Sequence, residues 1–198
     1  MLIGVTGNIG SGKSTAVAHL RDALGAGVVD ADGVGHHLLA TNREIQASVS
    51  REFGGDLVGP GGHIDRRQLG KRVFANPEAL EALNRIFYPH LTYEIKVEIQ
   101  RAQRVFNHVI LDAALIIEWG FRKEMDKLIV VTSLPEIRVK RLTEFRRMLE
   151  DEARERVNAQ APESLKAAQG DFVVKNNGSP EKLKKEMDKI AKQILALL

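Results

Sequence analysis

Leu2-Ile3-Gly4-Val5-Thr6-Gly7-Asn8-Ile9-Gly10-Ser11-Gly12-Lys13-Ser14-Thr15, residues 2 to 15, decides the fold. The apolar run Leu2–Val5 reads as a strand buried on both faces, of the kind found in parallel sheets. It stops at glycines and small polar residues that end in one lysine. Gly7 to Ser14 fits G-x-x-x-x-G-K-[ST] residue for residue. Consecutive backbone N–H groups can cradle phosphate oxygens there, because glycine puts no Cβ in the way. The helix that follows turns its positive end toward the anion. Gly7, Asn8, Ile9, Gly10, Ser11, Gly12, Lys13, Ser14 and Thr15 are therefore expected to bind a nucleoside triphosphate. Lys13 would reach the β- and γ-phosphates, and the Ser14 hydroxyl would serve Mg²⁺.

Outward from this loop, further apolar runs read as strands at Val28–Val29, Val109–Leu111, Leu128–Val131 and Phe172–Val174. Helical patterns lie between them at Lys13–Leu24, Pro135 to about Leu149, and Pro180–Leu198. Alternation of this kind predicts an α/β fold, a parallel five-stranded sheet flanked by helices. The stretch from about 32 to 106 interrupts the alternation with helix-like pieces and no convincing strand, too long for a plain crossover. It is expected to be a helical substrate-binding insertion in a single domain whose core spans about 1–31, 107–141 and 170–198. The charge-dense segment of about 142–169, broken near Ala161-Pro162, is expected to be a lid.

Composition sets the limits. At 198 residues with 43% apolar and 28% charged content, the chain can bury one core. A net charge of +3 does not call for nucleic acid and suits an anionic small molecule. The absence of cysteine excludes disulfides and thiolate metal sites. No run approaches the roughly 20 apolar residues of a membrane span, and the N-terminus lacks a basic leader. A soluble cytoplasmic protein with no membrane partner is expected; a monomer is the expected state, although nothing in the sequence specifies it. Asn177-Gly178-Ser179 reads as a turn, and the scattered histidines define no metal site.

Two further carboxylate groups fit the loop's chemistry. Val109-Ile110-Leu111-Asp112 is a strand ending in Asp, which at the carboxyl end of a neighbouring strand can hold Mg²⁺ or its water. Val28-Val29-Asp30-Ala31-Asp32 ends the second strand, where the ligand crevice of a parallel sheet opens. Asp32 is expected to take a proton from an acceptor hydroxyl unless it merely caps a helix, and Asp30 is expected to be structural.

Taken together these residues resemble the dephospho-coenzyme A kinase family, and the likeness covers nearly the whole chain. It includes the opening IGVTGNIGSGKST, Asp30-Ala31-Asp32 followed by Gly35-His36, and Gly61-Gly62-His63-Ile64-Asp65-Arg66 with Leu69 and Val73-Phe74. Val139-Lys140-Arg141-Leu142 leads to Arg146-Arg147, then come Arg156, Gln160 and Val174-Lys175-Asn176-Asn177-Gly178. The resemblance implies a nucleotide-kinase-like core of the P-loop NTP hydrolase kind, with ATP and Mg²⁺. It implies transfer of a phosphoryl group to the ribose 3′-hydroxyl of dephospho-coenzyme A. It makes Asp32 the general base or the carboxylate that orients the hydroxyl, places Arg141 near the phosphoryl or the adenine, and sets Arg147 or Arg146 on the transition-state charge from the lid. Asn176 falls in the adenine-binding turn. Arg138 and Arg154 read instead as a salt-bridged helix surface. The chain departs from the family pattern at Tyr88-Pro89, where histidine is usual, and at Ala114, where proline is usual; Glu118 keeps its place. Another small-molecule or nucleoside kinase is the nearest alternative. A GTPase switch is more remote: Asp30–Gly33 matches D-x-x-G, but no N-K-x-D guanine reader follows.

Overall fold

The structure, a computed structural model, describes residues 1–59, 63–74 and 76–197, without the Phe74 side chain. Gly61 and Gly62 of the motif above lie outside the described residues. In chain order the elements are β1 (Leu2–Thr6), α1 (Lys13–Leu24), β2 (Gly27–Asp30), α2 (Ala31–Thr41), α3 (Arg43–Phe53), α4 (Arg66–Phe74), α5 (Pro77–Gln103), β3 (Val109–Asp112), β4 (Lys127–Thr132), α6 (Pro135–Arg146), α7 (Glu150–Asn158), α8 (Glu163–Ala167), β5 (Phe172–Lys175) and α9 (Pro180–Leu195). They fall into two compact units, Met1–Val29 with Ile99–Leu198, and Asp30–Glu98.

The first unit carries a five-stranded sheet in the order β2-β3-β1-β4-β5. β1 runs parallel to both β3 and β4, and β4 runs parallel to β5. Every residue of β1 is buried, as an apolar run with no alternation requires when helices cover both faces. The chain places β2 and β3 on one side of β1, then crosses to β4 and β5 on the other. The switch in direction falls at β1, and its carboxyl end is where such sheets bind ligands. On one face α1 and α9 pack together: Ala16, Val17 and Leu20 meet Leu183, Met187, Ile190 and Ile194 over Ile3, Val5, Ile129 and Val131. Spacings of three and four along α9 put these side chains on one stripe. Each fully buried Leu or Ile of this kind contributes roughly 1.5–3 kcal/mol.

Two helix ends differ from the sequence expectation. The helix expected to reach about Leu149 stops at Arg146. Arg147 adopts φ 51° and ψ 32°, its N–H and that of Met148 both return to the Leu142 carbonyl, and α7 restarts at Glu150. This is the left-handed closure usually given to glycine. The last helix ends at Leu195, and Leu198 lies outside the described residues. α7 then folds back on α6 through Val139, Leu142, Ala153 and Val157, with Ile9 and Met148 packed at the edge.

In the second unit, α2, α3 and α4 bury Leu38, Leu39, Ile45, Val49, Leu69 and Val73. Asp65 opens α4: its carboxylate accepts the N–H groups of Arg67 and Gln68 at 2.9 and 3.0 Å, and the Gln68 amide returns to it at 2.9 Å. That N-cap holds the Asp65 carboxyl below its usual pKa, chiefly through the Gln68 N–H. The Asp of this motif therefore has a structural duty. Val58 and Ile64 form a single antiparallel bridge, so this unit carries no extended strand among its described residues beyond the end of β2.

Candidate active site

The register of the sheet assembles the site. Val5 lies opposite Asp112 on β3, and Thr6 opposite Val130 on β4, so the chain leaving β1 runs between two neighbouring strand ends. Ser11 N–H donates to the Asn8 carbonyl at 3.1 Å, curling the loop, and α1 begins at Lys13 with no side chain capping its first turn. Those N–H groups face outward with the positive end of the helix. Gly12 sits at φ 93°, and a Cβ there would run into the Asn176 side-chain amide. At Gly7 a Cβ would strike the Val131 carbonyl. The loop lies too close to its neighbours at both places for any other residue.

Lys13 makes an ion pair with Asp112, both side chains mostly buried. The strand-end carboxylate gives the lysine an anionic partner at the mouth of the loop. Two residues that the sequence pointed to separately are thus brought into contact. Ser14 and Thr15 lie exposed on the first turn of α1.

Arg141 and Asn176 grip the loop from its carbonyl side. The Arg141 guanidinium donates to the carbonyls of Gly10 and Ser11, each at 3.2 Å, and to that of Asn176 at 3.0 Å. The Asn176 amide, buried, donates to the Ser11 carbonyl at 2.8 Å, and the Ser133 hydroxyl donates to the Asn176 carbonyl at 3.0 Å. In a trans peptide the N–H points opposite to the C=O, so fixing the Ser11 carbonyl aims the Gly12 N–H the other way. Burial lowers the Arg141 pKa, yet a guanidinium stays charged at any working pH. In this geometry both side chains are spent on orienting the loop.

In the second unit, Asp30 is the N-cap of α2, its carboxylate accepting the Asp32 N–H at 3.1 Å. Asp30 therefore does the capping that could have occupied Asp32. The exposed Asp32 carboxylate forms no hydrogen bond or ion pair with any described residue. Arg146 and Arg147 are also exposed, and neither bonds to the phosphate loop. The left-handed backbone at Arg147, the only non-glycine residue with positive φ among those described, sets it apart from Arg146.

Arg154 pairs with Glu150 at 2.7 Å on an exposed helix face, as its spacing predicts. Arg138 does not follow that reading. It is 5% exposed, its Nε lies 3.8 Å from Glu163, and its backbone packs against Gly10. The signal was its place four residues before Leu142, on the stripe of α6 that faces inward. Residues that sequence reasoning left without a role also converge here: Gln160 accepts the Ile9 N–H at 2.8 Å, and Lys166 donates to the Ala114 carbonyl and lies 3.1 Å from Glu118.

The same organisation recurs in known proteins. The model of the family described as dephospho-CoA kinase matches residues 1–182. A dephospho-CoA kinase of Corynebacterium glutamicum is 36% identical over 195 residues, covering 98% of this chain and 97% of its own. One from Geobacillus kaustophilus is 35% identical over 198 residues, covering 100% and 98% respectively. The structure of a dephospho-CoA kinase from Campylobacter jejuni superposes with a TM-score of 0.72 at 27% identity, covering 98% of this chain and 96% of that one. A phosphate loop braced by Arg141 and Asn176, a lysine set against a strand-end aspartate, and a family match running from the first residue through the start of α9 lead to one conclusion: the chain belongs to the dephospho-CoA kinase family.

Proposed function

We propose that the protein transfers the γ-phosphoryl group of ATP to the ribose 3′-hydroxyl of dephospho-coenzyme A, giving coenzyme A and ADP, the last step of coenzyme A synthesis. The observation that carries this reading is the Lys13–Asp112 pair at the mouth of a braced phosphate loop, in a chain matched by the family nearly end to end.

ATP lays its phosphates over the loop N–H groups, and Lys13 transfers its ammonium from Asp112 to the β- and γ-phosphate oxygens. That exchange costs little, because one anionic partner replaces another. Arg141 and Asn176 keep the loop amides oriented, and the turn carrying Asn176 borders the adenine. Asp32, its carboxylate left uncommitted by the Asp30 cap, accepts the proton of the attacking 3′-hydroxyl. Arg147, brought in by segment 142–169 acting as a lid, stabilises charge on the equatorial oxygens. Phosphoryl transfer asks for this alignment and positive charge more than for covalent help.

Ser14 and Asp112 offer a hydroxyl and a carboxylate, the hard oxygen donors that suit Mg²⁺. Mg²⁺ commonly keeps waters and substrate phosphate oxygens as its other ligands. When bound, Mg²⁺ would neutralise phosphate charge as it develops. No helix among the described residues is long and apolar enough to cross a membrane, and a cytoplasmic enzyme acting on a small molecule, without nucleic acid, fits the whole reading.

An acceptor screen tests it. ADP release should be fastest with dephospho-coenzyme A, and at least about tenfold slower with adenosine, AMP or shikimate. Equal or better turnover with any of the latter would transfer the chain to another small-molecule kinase activity, which the departures at Tyr88 and Ala114 make worth measuring.

A further inference from the structure

Toward the end of segment 142–169, Gln160, Ala161, Glu163 and Lys166 fasten three loops at the carboxyl end of the sheet, which leaves the closing motion to the part of the segment that carries Arg147. Gln160 Oε1 accepts the Ile9 N–H at 2.8 Å, and the Ala161 carbonyl accepts from the Asn8 side-chain amide at 2.9 Å. Both contacts fall within the phosphate loop after β1. Glu163 accepts the Ser133 N–H at 3.0 Å, gripping the loop after β4. Lys166, 4% exposed, reaches the Ala114 carbonyl and Glu118, gripping the loop that follows Asp112 at the end of β3.

The local chemistry suits a stiff strap. Pro162 restricts Ala161 to extended backbone and itself precedes the first turn of α8 at φ −53°, which sends Gln160 and Glu163 to different anchors. Burial raises the Glu163 carboxyl pKa, opposed by the Ser133 N–H and the charges of Arg138 and Lys166. Groups this desolvated hold their positions only if their partners hold theirs.

The geometry points to Gln160 as a positioning residue for nucleotide binding: through the Ile9 N–H it pins the first peptides of the phosphate loop, with Glu163 and Lys166 as the anchors that keep it in place. The Ile9 amide is thereby occupied before any ligand arrives. The loop's remaining N–H groups are then presented without having to be ordered at the moment of binding, and preorganisation of this kind raises affinity. The inference rests on the phosphate loop binding ATP, as proposed above, and adds which residue outside the loop motif sets that affinity.

The test compares wild type with Gln160→Ala by calorimetric titration of ATP·Mg, each at about 20 °C below its own thermal midpoint so that unfolding plays no part. Ile9 amide hydrogen exchange is followed by NMR in the nucleotide-free proteins. We expect the Ile9 amide to exchange slowly in wild type and at least about tenfold faster in the variant. The Kd for ATP should rise about tenfold, the KM for ATP should rise in parallel, and the KM for the acceptor should stay put. An unchanged ATP Kd in Gln160→Ala overturns the assignment, whatever happens to the midpoint, because it leaves the strap a purely structural element. If wild type itself fails to bind ATP, the proposed function fails first; if it binds ATP but ignores dephospho-coenzyme A, only the acceptor is wrong and the strap is still tested.

Discussion

Lys13→Met should lower kcat by on the order of 10³-fold, the scale of removing one preorganised donor from developing charge. The methionine stem keeps the packing of the long side chain and removes only the ammonium. Two effects are combined in that variant and can be separated. Asp112, mostly buried, loses the Lys13 ammonium, and the lost ion pair should cost about 1–3 kcal/mol of stability. Asp112→Asn in the same chain removes the negative charge that Lys13 had faced. The double variant is therefore expected to recover most of the thermal midpoint and none of the turnover. A double variant that regained activity would mean that Lys13 mattered only as a partner of Asp112. Because Asp112 also offers an oxygen to Mg²⁺, the effect of the ammonium on turnover is read from steady-state kinetics of Lys13→Met alone, and the double variant is read by its thermal melt.

Asp32→Asn should lower kcat by on the order of 10²-fold or more, within the range of a positioned base, while the Kd for ATP stays near wild type. The substitution keeps the size of the side chain and removes its capacity to take a proton. The fold has little stake in it. Asp30 supplies the cap of α2 and bonds to the backbone N–H of position 32, which any residue there retains. Loss of a negative charge in the first turn of a helix costs only about 0.3–1 kcal/mol. A kinetic defect without a matching loss of stability is the expected signature, read from initial rates and a melt on the same sample. Turnover within about threefold of wild type would remove Asp32 from the mechanism.

The two aspartates also mark how far the sequence could be read. Val28–Asp30 looked like a strand ending in carboxylates because it was one, but either Asp could cap a helix starting nearby, and only the backbone at Asp30 decides which one does. The phosphate loop was legible in full, because its glycines answer to local demands, a positive φ at Gly12 and a close carbonyl at Gly7. β1 and β4 were legible as unbroken apolar runs. The end of α6 was not: Arg146, Arg147 and Met148 are good helix formers, and the chain turns there only because α7 folds back onto Val139 and Leu142. Arg138 was misread for a related reason. Nearby acidic residues suggested surface pairs, whereas its partner Glu163 comes from another helix and both are drawn inward. The contacts of Gln160 and Ala161 with the phosphate loop join residues more than 150 positions apart, which no local pattern encodes.

Triphosphate is expected to lie over the main chain of residues 10 to 14 and to take Lys13 from Asp112. A crystal structure with a non-hydrolysable ATP analogue, Mg²⁺ and dephospho-coenzyme A tests it most directly. The β- and γ-phosphate oxygens should lie within hydrogen-bonding distance of those amides, with the Lys13 ammonium on the phosphates and no longer on Asp112. Triphosphate bound elsewhere, or bound over the loop with Lys13 still on Asp112, would contradict it.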